Sequence, residues 1–221
     1  MRIKVIAILA TAIIFLVGIG AQQNISSQIT SKVEQEMPNA SGISASVPFV
    51  DMPSNLISDS IKSANITIKS FALKESGTKT SLDVSLSRIS KAKPTLIGSL
   101  EINATIPEST ITQSSNFNDA EIVGNTLNVS VGADGMGTAS LIPKYSDNEI
   151  YFELQSVTVF GNEIPASFLP EDLKNEIRNR SQRDLTPPKG LKVESVSLSS
   201  KGLTIKMFGS DIQLGSLGAN L

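Results

Sequence analysis

The chain predicts an α+β fold, mainly β and antiparallel, on three observations. From Ala64 onward apolar residues recur at every second position over most of the sequence, which is the spacing of strands with one wet face. Gly124-Asn125 separates two such runs, Glu121 to Val123 and Thr126 to Val131, as a two-residue hairpin signal. The longer helical patterns sit near the start of the chain and after its long middle strand, without the βαβ rhythm that a parallel sheet requires.

The first 21 residues form an apolar leader. Arg2 and Lys4 precede an uncharged run from Val5 to Ile19, which fits the charged and apolar regions of an export signal and is shorter than the ~20 residues of a comfortable spanning helix. Gly18, Gly20 and Ala21 offer small residues for cleavage. No strong A-x-A site is present, so an uncleaved anchor is the alternative. Either way, the positive-inside rule places the body of the chain outside the cytoplasm.

Ile25, Ile29, Val33 and Met37 recur every fourth residue, an amphipathic helix stopped by Pro38. Asn39 to Ser46 reads as a small-residue linker, followed by the apolar cluster Val47, Pro48, Phe49, Val50 and Met52. A second helix is expected from Pro53 to Ser63, with Leu56, Ile57 and Ile61 on one face. Strands then follow at Ile66 and Ile68, at Leu82 to Leu86, and at Leu96, Leu100, Ile102, Ala104 and Ile106, with a turn at Gly77. Pro107-Glu108 can open a short helix to about Ser115.

Gly132 to Gly137 resembles a phosphate-cradling loop only superficially. Thr138 to Ile142 after it alternate like a strand, where such a loop would open a helix. Ile150, Phe152 and Leu154, then Val157 and Val159, form a long strand whose phase breaks near Ser156, as a bulge would do. Gly161-Asn162 ends it. Pro170 to about Arg183 is the third helix, with Leu169, Leu173 and Ile177 on one face, acids in the first turn and arginines in the last. Closing strands are expected at Leu191 to Leu198 and Leu203 to Met207, with a short final one at Ile212 to Leu214.

The expected organisation is a leader over 1–21, an amphipathic helix and linker over 22–46, and one domain over 47–221. The 221 residues carry 19 basic and 21 acidic side chains; without Arg2 and Lys4 the balance is 17 to 21, which argues against a general nucleic-acid binder. There is no Cys, hence no disulfide framework. There is no His, so a histidine-based triad is impossible. The S-x-x-K matches at Ser76 to Lys79 and Ser90 to Lys93 lie in polar, turn-like stretches. The compact acidic groups, Asn116 to Asp119 and Asp147 to Glu149, read as turns. No catalytic residue, metal site or cofactor is expected.

Several segments together resemble the LmeA-type phospholipid-binding proteins, a family of exported bacterial envelope proteins. They are the apolar leader, the Val47-Pro-Phe-Val cluster, the stretch from Leu56 to Ile68, Ile102-Asn-Ala-Thr-Ile-Pro and Val159-Phe-Gly-Asn-Glu-Ile-Pro. The ending, Pro188-Lys-Gly-Leu-Lys-Val-Glu-Ser-Val-Ser-Leu with Lys201-Gly-Leu-Thr-Ile, is the most specific of them. The resemblance covers most of the exported chain; where the family often has G-F-P-F, this sequence has Val47-Pro-Phe-Val. It implies a tubular lipid-binding architecture, in which a long curved antiparallel sheet wraps a helix and encloses an apolar groove. It also implies binding of anionic phospholipid, phosphatidylinositol types in particular, in the periplasm or at the outer face of the cytoplasmic membrane, in support of envelope glycolipid or membrane biogenesis.

The residues themselves allow such a groove. Each buried methylene contributes about 0.8 kcal/mol, so a generic aliphatic lining is sufficient. Leu100, Ile102, Phe152, Leu154, Ile205 and Met207 are the candidates for that lining, with core packing as the other reading of each. Lys174, Arg178, Arg180 and Arg183 are the local concentration of positive charge at helical spacing and the candidates for a head group; a solvated helix end complementing its dipole is the alternative. The competing function is an envelope scaffold that binds a protein partner and carries no lipid.

Overall fold

In the computed structural model of the chain, the described residues are 25–36, 39–48, 58–72, 79–92, 95–114, 119–132 and 136–213. The leader, Met37 and Pro38, Phe49 to Met52, the Pro53 to Ile57 part of the expected second helix, Gly77, Ser76, Lys93, Asn116 to Asn118 and Leu214 lie outside them. The first half of the chain supplies α1 (Ile25–Glu36), β1 (Ala40–Ser46), β2 (Ser60–Ala72), β3 (Lys79–Ser90), β4 (Leu96–Ile106) and α2 (Glu108–Ser114). The second supplies β5 (Glu121–Val123), β6 (Thr126–Val131), β7 (Gly137–Ser146), β8 (Glu149–Val159), β9 (Asn162–Pro165), a 3-10 turn (Ala166–Phe168), α3 (Glu171–Ser181), β10 (Arg183–Asp184), β11 (Lys192–Ser199) and β12 (Gly202–Gln213). Strand predominates and the pairings detailed below are antiparallel, so the fold is α+β as expected.

The strands form two sheets, ordered β1-β2-β3-β4-β12-β11 and β10-β8-β7-β6-β5, with β9 also on β8. Backbone contacts divide the chain into two compact units. An N-terminal unit holds the described residues up to Ala104 together with Pro187–Glu194 and those from Lys206; a middle unit holds Thr105–Thr186 and Ser195–Ile205. The division passes through β4, β11 and β12.

In the N-terminal unit α1 forms where the four-residue spacing predicts it, packs on β1 and buries Val33. Asn39 to Ser46, expected as a linker, is instead strand from Ala40. It pairs with β2 through Ile43 opposite Ile68 and Ala45 opposite Ile66. Its Ser, Gly and Ala residues carry little strand signal, but backbone pairing does not depend on side-chain size. Gly42, at φ +65, lets the Lys69 side chain lie where a Cβ would be, 2.8 Å from that position.

The expected second helix also ends differently: Ser60 to Ser63 belong to β2, where Ile61 opposes Ile89 and Ser63 opposes Ser87. Buried pairs Ala64/Leu86, Ile66/Val84 and Ile68/Leu82 continue the register, and a bulge precedes Phe71 opposite Thr80. Side chains alternate sides along a strand, so buried positions two apart share a face and a step of three changes it. That step occurs in three neighbouring strands, between Ile61 and Ala64, Leu86 and Ile89, and Ile97 and Leu100. It leaves Leu96 exposed and Ile97 buried, whereas simple alternation grouped Leu96 with Leu100.

At the step Arg88 adopts a left-handed φ of 51°, and the Ser87 and Ser99 hydroxyls hydrogen-bond at 2.5 Å. Farther along, β12 takes in Ile212 and Gln213 of the short strand expected at Ile212 to Leu214. It runs to Gln213, with Asp211 at the left-handed φ of 52°.

In the middle unit the Gly124-Asn125 hairpin joins β5 to β6 as expected, with Gly124 at φ 63. Thr138 to Ile142 lie in β7, which confirms a strand after the glycine loop. The phase break in β8 is a bulge: Ser140 pairs with Ser156 and Leu141 with Leu154, leaving Gln155 as the extra residue. Asp147 and Asn148, at φ 54 and 61, make the tight turn from β7 to β8. Helix α2 begins after Pro107, and Glu108 Oε1 accepts a 3.1 Å bond from the Ile122 amide, tying it to β5. Gly202 opens β12 where a Cβ would meet the Ile106 carbonyl oxygen at 2.0 Å, so the approach of these backbones requires glycine.

Candidate functional site

The lining candidates fall on three strands. In the N-terminal unit Leu100 and Ile102 on β4 and Met207 on β12 are 0%, 1% and 1% exposed. Their neighbours in sequence, Glu101 and Lys206, point to the other face. There Lys206 Nζ lies 2.9 Å from Glu194 and 3.6 Å from Glu101, so one face of the sheet is aliphatic and the other carries a charged triad. The hydrogen bond to Glu194 raises the Lys206 pKa above its ordinary value of 10.5, with the Glu101 and Glu194 charges adding to it.

On the aliphatic side of β2 and β3, Thr80 is 1% exposed and its hydroxyl has no hydrogen-bond partner. Buried hydroxyls without partners are uncommon because desolvation is uncompensated. Sequence reading missed this group, since threonine is an ordinary strand residue.

In the middle unit Leu154 on β8 and Ile205 on β12 are buried, and Phe152 is half-buried. Phe152 is held through its backbone: its amide donates to Ser181 Oγ at 2.9 Å, and Ser181 in turn donates to the Ile177 carbonyl at 2.8 Å. Ser181 and Ile177 are the buried residues of α3, so this hydroxyl pins the helix end onto β8. Ser181 also escaped the sequence reading, although it lies one turn after Ile177 on the same face.

The structure places Arg178 of the head-group set over the ring of Tyr151, 4.2 Å from its centroid, a cation–π contact. Tyr151 precedes Phe152 on β8, and successive strand side chains point to opposite faces, so Arg178 and the Phe152 side chain share a strand without meeting. The other cations already have partners. Lys174 pairs with Glu171 at 2.6 Å and Arg180 with Glu176, while Arg183 Nη1 donates to the Arg180 and Gln182 carbonyls at 3.0 and 2.7 Å. Helix α3 carries Glu171, Asp172 and Glu176 against Lys174, Arg178 and Arg180, three charges of each sign.

Among the described residues no group of three or more acidic side chains is placed to hold a metal ion. Asp147 lies in the tight turn between β7 and β8, and Glu149 is the first residue of β8. The Ser90 hydroxyl accepts from the Ala92 amide at 3.1 Å. No described helix is long and apolar enough to cross a membrane. No protein-family model, no curated protein and no solved structure matches the chain.

Proposed function

We propose that the chain is a non-enzymatic lipid-binding protein of the cell envelope, holding the acyl chains of an anionic phospholipid against the aliphatic faces of its sheets. The observation that carries this reading is the character of the buried faces. Of the ten largest fully buried side chains among the described residues, Phe71 alone is aromatic and the rest are Ile, Leu or Met. Flexible aliphatic surfaces of this kind suit acyl chains, which need area and adaptability in place of directed polar contacts.

Length adds to it. β2 has 13 residues, roughly 43 Å at ~3.3 Å per residue, whereas α1 has 12 residues, roughly 18 Å at 1.5 Å per residue. A helix of that length covers less than half of such a strand, and a tubular lipid-binding architecture in which lipid shares the cover is the arrangement this reading calls for. Arg178 over Tyr151 is the cation best placed for a head group, because no carboxylate pairs with it among the described contacts. The apolar leader supports placement at the membrane, in the periplasm or on the outer face of the cytoplasmic membrane.

The test is native mass spectrometry of the purified full chain with organic-solvent extraction of the same sample. Co-purifying phospholipid near one equivalent, exchangeable for added fluorescent phospholipid, is the expected result. A protein that carries no lipid and takes none up rules the reading out.

A further inference from the structure

The middle unit exposes apolar side chains that its own packing does not use. Phe160, between β8 and β9, is 79% exposed and has φ 50. A tight two-residue turn with positive φ favours Gly, Asn or Asp at that position, so phenylalanine adds both backbone strain and exposed apolar area with no internal compensation. Gly137 pairs with Val159, and Met136, 54% exposed, is one step beyond that pair, beside Phe160 at the same end of the sheet. Along the same arm follow Ile164, 37% exposed, and Phe168, 80% exposed. From Ser156 to Pro170 the only charged residue is Glu163.

We propose that this arm is a membrane-docking element, with Phe160 and Met136 entering the interfacial region of a phospholipid bilayer. Two observations favour a bilayer as the occupant. The arm presents single side chains on a turn, which a fluid interface accommodates without a matching surface. Its near absence of charge lets it enter the interface without desolvating ions. The 24 residues that precede α1 include the uncharged run Val5 to Ile19, which directs the chain to a membrane. The proposal rests on the membrane placement given above and not on an acyl groove.

The chain contains no Trp, so Phe160→Trp creates a single reporter in the full chain reconstituted into phospholipid vesicles. Expected are a blue-shifted emission and quenching by lipids brominated near the head of the acyl chain, both exceeding those of Tyr145→Trp at the other end of β7. Emission like that in water, or quenching no greater than the control's, overturns the proposal. A blue shift that appears without lipid, or that escapes bromolipid quenching, means that protein covers the arm and overturns it equally. Phe160→Asn is expected to melt no lower than the parent; a clear drop would make Phe160 a packing residue and sink the argument. Loss of the docking signal with co-purifying lipid retained separates failure of this inference from failure of the lipid-binding reading.

Discussion

The Arg88 side chain occupies the space above Gly98: a Cβ at Gly98 would lie 2.5 Å from Arg88 Nε and 2.8 Å from its Cβ, while Nη2 donates to the Gly98 carbonyl at 3.3 Å. The pair sits where the buried face changes in β3 and β4, and Arg88 holds the left-handed backbone conformation at that line. Gly98→Ala forces the arginine aside and is expected to cost about 1–3 kcal/mol in urea unfolding. Arg88→Gly removes the obstructing side chain and suits the positive φ. In that background Gly98→Ala should cost less than half as much, and additive losses in the double mutant would refute the coupling.

Ser181→Ala deprives the Phe152 amide of its acceptor in a half-buried place. A loss of about 1–3 kcal/mol is expected, together with faster amide exchange at Phe152. Unchanged exchange would show that the hydroxyl does not fasten α3 to β8.

Thr80→Val keeps the shape of a buried side chain and removes a hydroxyl that has no partner. The protein should gain about 1 kcal/mol, measured by thermal or urea unfolding. A loss would identify a partner for this hydroxyl in solution.

Lys206 has a raised pKa, so its ionic contribution is fully present below the ordinary lysine value and is lost as pH rises through the folded-state value. Lys206→Gln should therefore lower stability at neutral pH, and mutant and parent should converge in strongly alkaline solution. High salt should shrink the difference as well. A pH-independent gap would assign the effect to packing of the lysine stem.

Reversing Arg178 and Arg180 to Glu should weaken binding to anionic vesicles more than to neutral ones at low salt. Binding that is unchanged removes α3 from the head-group reading. Arg178 matters more than Arg180 in this account, because Arg180 already pairs with Glu176 and Arg178 lies over Tyr151.

Much of the fold was legible because burial on one face imposes a period that local sequence records. The alternation at Leu82 to Leu86, the hairpin at Gly124-Asn125 and the phase break near Ser156 all reappear in the structure. Strand β1 was not legible: Ser, Gly and Ala produce no apolar rhythm, and only the partner β2 makes them a strand. Ile61 was equally ambiguous, since a short apolar stretch after proline fits a helix until Ile89 stands opposite it.

The candidate residues divide in the same way. That Leu100, Ile102 and Met207 are buried follows from their alternation with charged or polar neighbours. That Lys174 and Arg180 are paired, that Arg178 lies on Tyr151 and that Thr80 lacks a partner depends on which side chains face one another. Sequence by itself determined composition, the uncharged apolar run from Val5 to Ile19, the absence of His and Cys and the α+β class, because these are properties of residues or of their immediate neighbours. Tertiary structure alone decided the strand pairing of Ala40 to Ser46, the step through Arg88 and Gly98 and the exposure of Phe160. Each of these is fixed by register and packing between residues distant in the chain, and the local period carries no record of them.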